Sequence, residues 1–160
     1  MRTPWEAGVF VYRDDKLLLM HRTDDRYWHV VAGVVEYGEE IVDGALRELR
    51  EESGLVGVDL LDLGSPVTYP ITPELRQRYD YPSDVREVTA YSFAARAPAG
   101  WEPTLNEEHD EYRWTSVEEP SRSCTGQRLA KLCAAWRRIW RARPSYSSVT
   151  SRRVTSSIVS

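Results

Sequence analysis

The sequence predicts an α/β fold in which a mixed β-sheet lies between helices. Strand-like segments occur both before and after one helical segment at residues 39–53, and a second helical pattern closes the apolar part of the chain. At 160 residues and 18.4 kDa, the chain is long enough for one compact core and short for two. We therefore expect a single domain over residues 1–143, followed by a tail at 144–160.

Seven segments have the composition and alternation typical of β-strands. These segments are residues 5–13, 16–20, 27–31, 55–63, 67–72, 86–97 and 112–114. Residues 14–15 are interpreted as the turn between the first two strands. Residues 73–84 are charged and aperiodic, which predicts a loop over the functional face, and a second loop is predicted at 98–108.

The helical segment 39–53 has one apolar face. Residues at three- and four-residue steps share a helix face, and the apolar residues at these steps are Val42, Ala45, Leu46 and Leu49. Gly54 follows at the position where helices commonly end in a left-handed conformation. Gly33 and Gly38 bracket the preceding loop, where a glycine lets the backbone turn tightly or approach a ligand closely.

A second face of this helix is acidic. Glu48, Glu51 and Glu52 are spaced so that their side chains project to one side within about one turn. Like charges at this spacing destabilise a helix by about 0.2–0.5 kcal/mol per pair, and a bound cation removes that cost. Hard divalent cations such as Mg2+ prefer carboxylate and phosphate oxygens. The cluster therefore predicts a metal site that acts on a phosphate-bearing substrate.

Composition and charge exclude several classes of protein. Hydrophobic residues make up 41% of the chain and the net charge is −4, which gives no electrostatic footprint for a nucleic-acid polymer. No signal peptide or apolar segment of transmembrane length is found, so we expect no membrane partner and a cytoplasmic location. Cys124 and Cys133 would lie about 13 Å apart on a helix, which is too far for a disulfide.

The C-terminal part of the chain divides into a helix and a tail. Residues 121–142 have helical periodicity, with apolar or thiol side chains at Leu129, Leu132, Cys133, Trp136 and Trp140. Past Pro144 the chain is rich in serine, threonine and arginine, and lacks the apolar residues needed for a core of its own. We interpret this tail as disordered; the alternative is an arm that pairs with another subunit, so a monomer and a homodimer both remain open.

The residues from the loop glycine to the end of the helix resemble the Nudix box at every fixed position. The matching residues are Gly33, Glu39, Arg47, Glu48, Leu49, Glu51, Glu52, Gly54 and Leu55. A solvated acidic helix would explain the carboxylates but not the glycines or Arg47. The resemblance implies the Nudix α/β/α sandwich with a mixed β-sheet over residues 5–142.

The resemblance also implies roles for the residues of the box. Glu51 and Glu52 resemble the metal ligands of the family, and Glu48 is a ligand or the general base, with Mg2+ or Mn2+ as the cofactor. Arg47 is expected to hold one of these carboxylates by a charge-assisted hydrogen bond. The main-chain carbonyl just before the box glycine is a further ligand in the family, and that position is Ala32. Glu39, near the start of the helix, is interpreted as organising the loop.

Residues outside the box are candidates for completing the site. Glu108 resembles an extra glutamate ligand or base of several Nudix hydrolases, although a solvated acidic loop explains it equally well. The candidates for contacting the substrate are Arg22, which would bind phosphates, Tyr27 and Trp28, which would stack on a ring, and the close-approach glycine Gly33. For Trp28 a core position is the alternative. The three histidines have no metal-ligand spacing and are interpreted as structural or surface residues; they are His21, His29 and His109.

The function implied by the resemblance is metal-dependent hydrolysis of a small-molecule phosphoanhydride. Residues 22–28 and 108–114 are similar to those of bacterial members that release pyrophosphate from dihydroneopterin triphosphate or deoxynucleoside triphosphates. Pro70, fifteen residues beyond Leu55, instead favours ADP-ribose or another nucleoside-diphosphate compound. A non-catalytic nucleotide-sensing module is the alternative of another class, but such modules generally lack a box carboxylate. An isoprenoid diphosphate isomerase is disfavoured, because it would need a cysteine near the site, whereas Cys124 and Cys133 lie towards the last predicted helix.

Overall fold

The computed structural model describes residues 1–24, 26–64 and 66–116, together with the backbone of residues 153–154. Within these ranges, two helices accompany one mixed sheet of nine strands. The helices are α1 (Ile41–Ser53) and α2 (Pro73–Arg78). The strands are β1 (Trp5–Arg13), β2 (Lys16–Arg22), β3 (Trp28–His29), β4 (Val31–Val34), β5 (Leu60–Asp62), β6 (Val67–Pro70), β7 (Glu87–Arg96), β8 (His109–Ser116) and β9 (Arg153–Val154).

Strand β1 lies at the centre of the sheet and makes both kinds of pairing. It is parallel to β7 along most of its length, with Trp5 opposite Thr89. On its other edge it is antiparallel first to β4 and then to β2, which also pairs with β3 and β8. The pairing with β4 places Gly8 opposite Ala32, so β4 is held along its whole length against the first half of β1. The predicted mixed sheet is therefore confirmed.

The two faces of β1 face different parts of the core. Alternate residues of a strand point to opposite faces, and Val9 belongs to one buried cluster while Phe10 belongs to another. The first cluster contains Ala45 and Leu49, both fully buried on α1. The apolar stripe predicted for this helix is thus packed on the sheet, and that packing fixes which way the acidic side chains point.

Helix α1 begins two residues later than the sequence predicts and ends where expected. Its N-cap, Glu40, has an extended backbone and makes no side-chain cap hydrogen bond, while Asp43 places a negative charge in the first turn. At the other end, Gly54 adopts a φ of 73° and donates its N–H to the carbonyl of Arg50. A helix ends in this way only at a residue that tolerates the left-handed region of backbone conformation, and glycine does so most readily.

Several strand boundaries differ from the prediction. The segment predicted at 27–31 forms two short strands, β3 and β4, while the segment at 55–63 is a strand only at Leu60–Asp62. The strand predicted at 112–114 extends over His109–Ser116, because β8 pairs with β2 along its whole length. Local alternation could not give these limits, since pairing partners distant in sequence set them.

The loop predicted at 73–84 is wrong in its first half, where α2 forms a short helix. Pro73 occupies the first turn, and the side chain of Thr72 accepts a hydrogen bond from the N–H of Leu75. A threonine N-cap followed by proline is a recognised helix start. The helix has six residues, too few for an apolar period to show in the sequence.

The predicted closing helix at 121–142 and both cysteines lie outside the described residues. Of the tail, the structure describes Arg153 and Val154, which pair with Leu61 and Leu60 of β5. The prediction of a disordered tail at 144–160 stays untested. Neither helix of the described part is long and apolar enough to cross a membrane.

Candidate functional site

Glu52 is the most deeply buried acidic side chain of the helix cluster. Only 4% of the residue is exposed, and its Oε2 accepts a hydrogen bond of 3.0 Å from the Ala32 N–H. Burial raises the pKa of Glu52 to about 8, and the nearby carboxylates of Glu48 and Glu108 act in the same direction. The hydrogen bond from Ala32 and the positive charge of Arg22 act in the opposite direction but do not outweigh burial, so the ionised form of Glu52 is disfavoured unless a further positive charge is bound nearby.

Glu48 lies against the backbone of β4 because residue 33 is a glycine. A Cβ atom built on Gly33 would overlap the carboxyl group of Glu48. This carboxyl accepts a hydrogen bond of 2.7 Å from Nη1 of Arg47, yet burial raises the pKa of Glu48 and outweighs this bond. Glycine is therefore needed here for space and not for an unusual backbone angle.

The guanidinium of Arg47 connects the loop with two of the helix carboxylates. Its Nη1 lies 2.7 Å from Glu48 Oε1 and 3.3 Å from Glu51 Oε2. Its Nε and Nη2 donate to both oxygens of Glu39 at 3.0 Å, and Nη2 also donates to the carbonyl of Val34 at 2.7 Å. The predicted charge-assisted hydrogen bond is present, and it raises the already high pKa of Arg47, chiefly through Glu39.

Glu39 organises the loop before the helix, as the sequence predicts. Besides its two bonds to Arg47, its Oε2 accepts the N–H of Glu36 at 2.9 Å. The hydrogen bond from Arg47 is the main reason that the pKa of Glu39 is lowered. The loop between β4 and α1 is thus tied to the helix on the acidic side.

Glu108 stands at the rim of the acidic cluster. Its backbone carbonyl accepts the Thr23 N–H at 3.0 Å, and its side chain, 56% exposed, forms an ion pair of 3.1 Å with Nη1 of Arg22. Its charge helps to raise the pKa values of Glu48 and Glu52. The structure therefore brings Glu108 close to the helix glutamates, although it enters from the start of β8.

The three predicted substrate contacts outside the box have different environments. Arg22 bonds to Asp24 as well as Glu108, and the bond to Asp24 is the chief reason its pKa is raised. Trp28 is half-buried beside the second core cluster, with the guanidinium of Arg113 4.0 Å above its ring, which favours the core interpretation. The ring of Tyr27 lies 5.5 Å from that of His29.

Two buried histidines meet Glu52, and sequence reasoning missed this arrangement. His29 on β3 and His109 on β8 are 4% and 5% exposed, and their Nε2 atoms are 2.7 Å apart. His109 Nε2 also lies 3.9 Å from Glu52 Oε1. Burial lowers the pKa of His109, and the positive charge of Arg22 lowers it further. Candidate ligand atoms of the three residues all lie within 4.8 Å of one another.

The signal that could have revealed this group is strand register and not spacing. His29 pairs with Met20, and His109 pairs with Arg22, so both histidines border the end of β2. They are separated by 80 positions in the chain, and a β-bulge between His21 and Arg22 shifts the second pairing. The interpretation of His29 and His109 as ordinary structural residues was incomplete, because both lie next to the acidic cluster.

The residues that resemble the Nudix box form an acidic helix behind a glycine-containing loop, and both lie beside the mixed sheet. The family model for the NUDIX domain matches residues 2–135, which is most of the chain. The chain therefore belongs to the Nudix family, and the resemblance seen in the sequence is confirmed. The α/β sandwich is confirmed by solved structures of the family.

Several known proteins are similar to this chain. Dihydroneopterin triphosphate diphosphatase of Escherichia coli K12 is 34% identical over 85 residues, covering 49% of this chain and 57% of the relative. An octanoyltransferase of Myxococcus xanthus is 34% identical over 104 residues, covering 64% of this chain and 27% of the relative. The chain thus spans somewhat more than half of the length of the diphosphatase and about a quarter of the length of the octanoyltransferase. The solved structure of the E. coli dihydroneopterin triphosphate pyrophosphohydrolase superposes with a TM-score of 0.71 at 26% identity, over 82% of this chain and 93% of that one.

Proposed function

We propose that this protein is a metal-dependent hydrolase that cleaves a nucleoside-triphosphate-like phosphoanhydride to a monophosphate and pyrophosphate. The observation that carries the proposal is the buried carboxyl of Glu52, grouped with the carboxyls of Glu48 and Glu108, whose negative charges raise its pKa. We further propose a small-molecule substrate, action in the cytoplasm, and a monomer or homodimer.

The donor set of this site fits Mg2+ or Mn2+. Glu48, Glu51 and Glu52 would supply carboxylate oxygens, and Glu108, whose charge raises the pKa values of Glu48 and Glu52, is the candidate for a further one. The N–H of Ala32 points at Glu52, and the N–H and C=O of one strand residue point to the same edge, so the carbonyl of Ala32 is directed to this side as well. Hard cations of this kind prefer such an all-oxygen set.

Different residues have different roles in the proposed reaction. A bound divalent cation would neutralise charge on the phosphate oxygens and lower the pKa of the attacking water. In the proposed reaction the oxygen of that water bonds to the α-phosphorus, the α–β bridging P–O bond breaks, and the water proton passes to Glu48 or Glu51. Arg47 keeps these two carboxylates in place, and Arg22 binds the phosphates after separating from Glu108.

Hydrolysis is expected to require a divalent cation. Removal of metal with a chelator should reduce turnover to background, because no cation then neutralises charge on the phosphate oxygens or lowers the pKa of the attacking water. Added Mg2+ or Mn2+ should restore turnover, whereas Ca2+, which is larger and binds with looser geometry, should restore less. Turnover can be followed by release of pyrophosphate. Full activity in the presence of excess chelator would contradict the proposed site.

Two observations support a triphosphate over ADP-ribose as the substrate. The relative and the solved structure described above are both named for dihydroneopterin triphosphate. Pro70, the sequence feature that favoured ADP-ribose, is the last residue of β6, which pairs with β7. Within the described residues β6 is an edge strand, and proline is common on edge strands for structural reasons.

A substrate panel with Mg2+ tests this choice. Dihydroneopterin triphosphate or a deoxynucleoside triphosphate should give the highest kcat/KM, with pyrophosphate and a monophosphate as products. Discrimination between substrates is measured by the ratio of their kcat/KM values. If the kcat/KM for ADP-ribose exceeds that for every triphosphate by about tenfold, the protein is an ADP-ribose pyrophosphatase instead. Tight binding without any turnover would instead indicate a nucleotide-sensing module.

A further inference from the structure

We propose that His29, His109 and Glu52 form a second metal site, suited to a transition-metal ion such as Zn2+, at the inner edge of the acidic cluster. This site has two imidazole ligands and one carboxylate, whereas the site proposed for Mg2+ has only oxygen ligands. Glu52 lies between the two sites, so the proposal goes beyond the hydrolytic function and does not depend on which substrate is cleaved.

Burial is the first argument for this site. All three residues are at most 5% exposed, although each has a side chain that is strongly hydrated in water. Buried polar groups of this kind are normally paired with hydrogen-bonding partners or coordinate metals. Two of them, His29 and His109, stack with their ring centroids 4.9 Å apart, so the apolar core is interrupted by a compact polar group of three side chains.

Hydrogen bonding fixes the tautomer of His109 in the form that a metal ligand needs. Oδ1 of Asn106 accepts the backbone N–H of Glu108 at 3.2 Å, so this oxygen is an acceptor. The same oxygen lies 2.7 Å from Nδ1 of His109, which must therefore carry the proton. The Nε2 atom of His109 then has a lone pair, directed towards His29 and Glu52. An imidazole held through its other N–H is the usual arrangement of a metal-bound histidine.

The distances fit a metal ion after small movements. Zn2+ binds nitrogen at about 2.0–2.1 Å and carboxylate oxygen at about 2.0–2.2 Å, so two ligands of a tetrahedral ion lie about 3.4 Å apart. The two Nε2 atoms are closer than this, at 2.7 Å, while His109 Nε2 and Glu52 Oε1 are farther apart, at 3.9 Å. Insertion of an ion would require these two separations to change by about 0.5–0.7 Å, and the remaining separation, between His29 and Glu52, is at most 4.8 Å.

Ligand chemistry determines the class of ion. Imidazole nitrogen favours Zn2+, Cu2+, Ni2+ and Fe2+, whereas carboxylate and carbonyl oxygens favour Mg2+ and Mn2+. Two histidines with one glutamate are also a known ligand set of zinc sites that keep a position open for water or substrate. On binding, His29, whose Nε2 donates its proton to His109 in the absence of metal, would take the tautomer protonated at Nδ1 so that its Nε2 bonds to the metal, and Glu52 would bind as the carboxylate, releasing to solvent any proton it carries.

Cobalt binding to the full-length chain, free of any polyhistidine tag and stripped of metal, tests the proposal. Co2+ takes the place of Zn2+ and absorbs visible light strongly when it is four-coordinate. In an excess of Mg2+, we expect saturation of a visible band at one equivalent of Co2+ and loss of the band at one equivalent of Zn2+. His29→Gln and His109→Gln should each weaken Co2+ binding by tenfold or more. The matched control is His21→Gln, because His21 bonds to Asp110 outside the group, and it should bind Co2+ within twofold of the original chain.

A second pair of variants separates ligation from folding. Asn106→Ala removes the acceptor that holds Nδ1 of His109 and should weaken Co2+ binding by about 10–100-fold, as is typical for such partners, while Asn106→Asp should retain it. Zn2+ should also raise the Tm of the original chain but not that of His109→Gln. The proposal is overturned if no four-coordinate band forms, if His109→Gln keeps the band, or if His21→Gln loses it equally. Because Glu52 belongs to both sites, Mg2+-dependent turnover is measured separately on the metal-stripped chain without Co2+ or Zn2+, where it reports on the hydrolytic site, so failure of one proposal is distinguishable from failure of the other.

Discussion

Replacement of Glu52 by glutamine is expected to lower kcat by about a thousandfold, equivalent to about 4 kcal/mol of transition-state stabilisation. The amide keeps the shape of the carboxylate and can still accept the Ala32 N–H, but it cannot supply a negative oxygen to a divalent cation. The fold should persist. Burial raises the pKa of Glu52 to about 8, so ionisation of this side chain opposes folding as the pH rises from its unfolded-state pKa towards 8. Without added metal, the Tm of Glu52→Gln should therefore equal or exceed that of the original chain.

The matched control for this experiment is Glu40→Gln. Glu40 is exposed at the N-cap of the same helix and makes no side-chain cap hydrogen bond, so its replacement should change kcat by less than twofold. Turnover under saturating Mg2+ and a thermal melt of each variant are the two measurements needed. If Glu52→Gln kept activity within tenfold, Glu52 would not be a metal ligand. A Tm lowered by several degrees would instead make Glu52 a structural residue.

Gly33→Ala is expected to lower kcat/KM by about a hundredfold, the scale of loss that a displacement of about 1 Å causes at a reacting centre. The added methyl group would overlap the carboxyl group of Glu48 and push it away from Arg47 and the proposed metal. The backbone itself should not be strained, because Gly33 lies in a strand and is absent from the glycines with positive φ. The loss should therefore come from the position of Glu48 and not from unfolding.

Gly8→Ala is the control for Gly33→Ala. Gly8 lies one strand away, opposite Ala32, and a Cβ there would make only ordinary contacts of 3.8 Å with the carbonyl oxygens of Tyr91 and Val31. A double-mutant cycle gives the sharper result. In a Glu48→Ala background, Gly33→Ala should cause almost no further loss, because the group it displaces is already absent. Additive losses would show that Gly33 acts through something other than Glu48.

The local part of the site could be predicted from the sequence because its chemistry is contained in one helix and its preceding loop. Arg47 and Glu48 are neighbours in the chain, and Glu51 is one helical turn away, so spacing alone brings them together. The packing of Leu49 follows from the same periodicity. The sequence predicts that Gly33 allows a tight turn or close approach to a ligand, whereas the structure shows that a glycine there also leaves space for the carboxyl group of Glu48.

The distant part of the site could not be predicted in the same way. The meeting of His29 with His109 depends on which strands flank β2 and on the register shift at Asp110 of β8, and neither leaves a periodic signal. Helix α2 is a different case, because Thr72 and Pro73 are a helix start that was present in the sequence. Its six residues were simply too few for their periodicity to be recognised.

The parallel pairing of β1 with β7 has a consequence for synthesis of the chain on the ribosome. Trp5 lies opposite Thr89, so at roughly 5–20 residues per second β1 is made roughly 4 to 17 seconds before its partner. During that time β1 can meet only near neighbours such as β2, β4 and α1, and one of its edges has no strand beside it. An unpaired edge with apolar side chains is a template for association with other chains. Until β7 is made, this edge of β1 is therefore exposed to association with other chains, even though every part of the acidic helix has already been made.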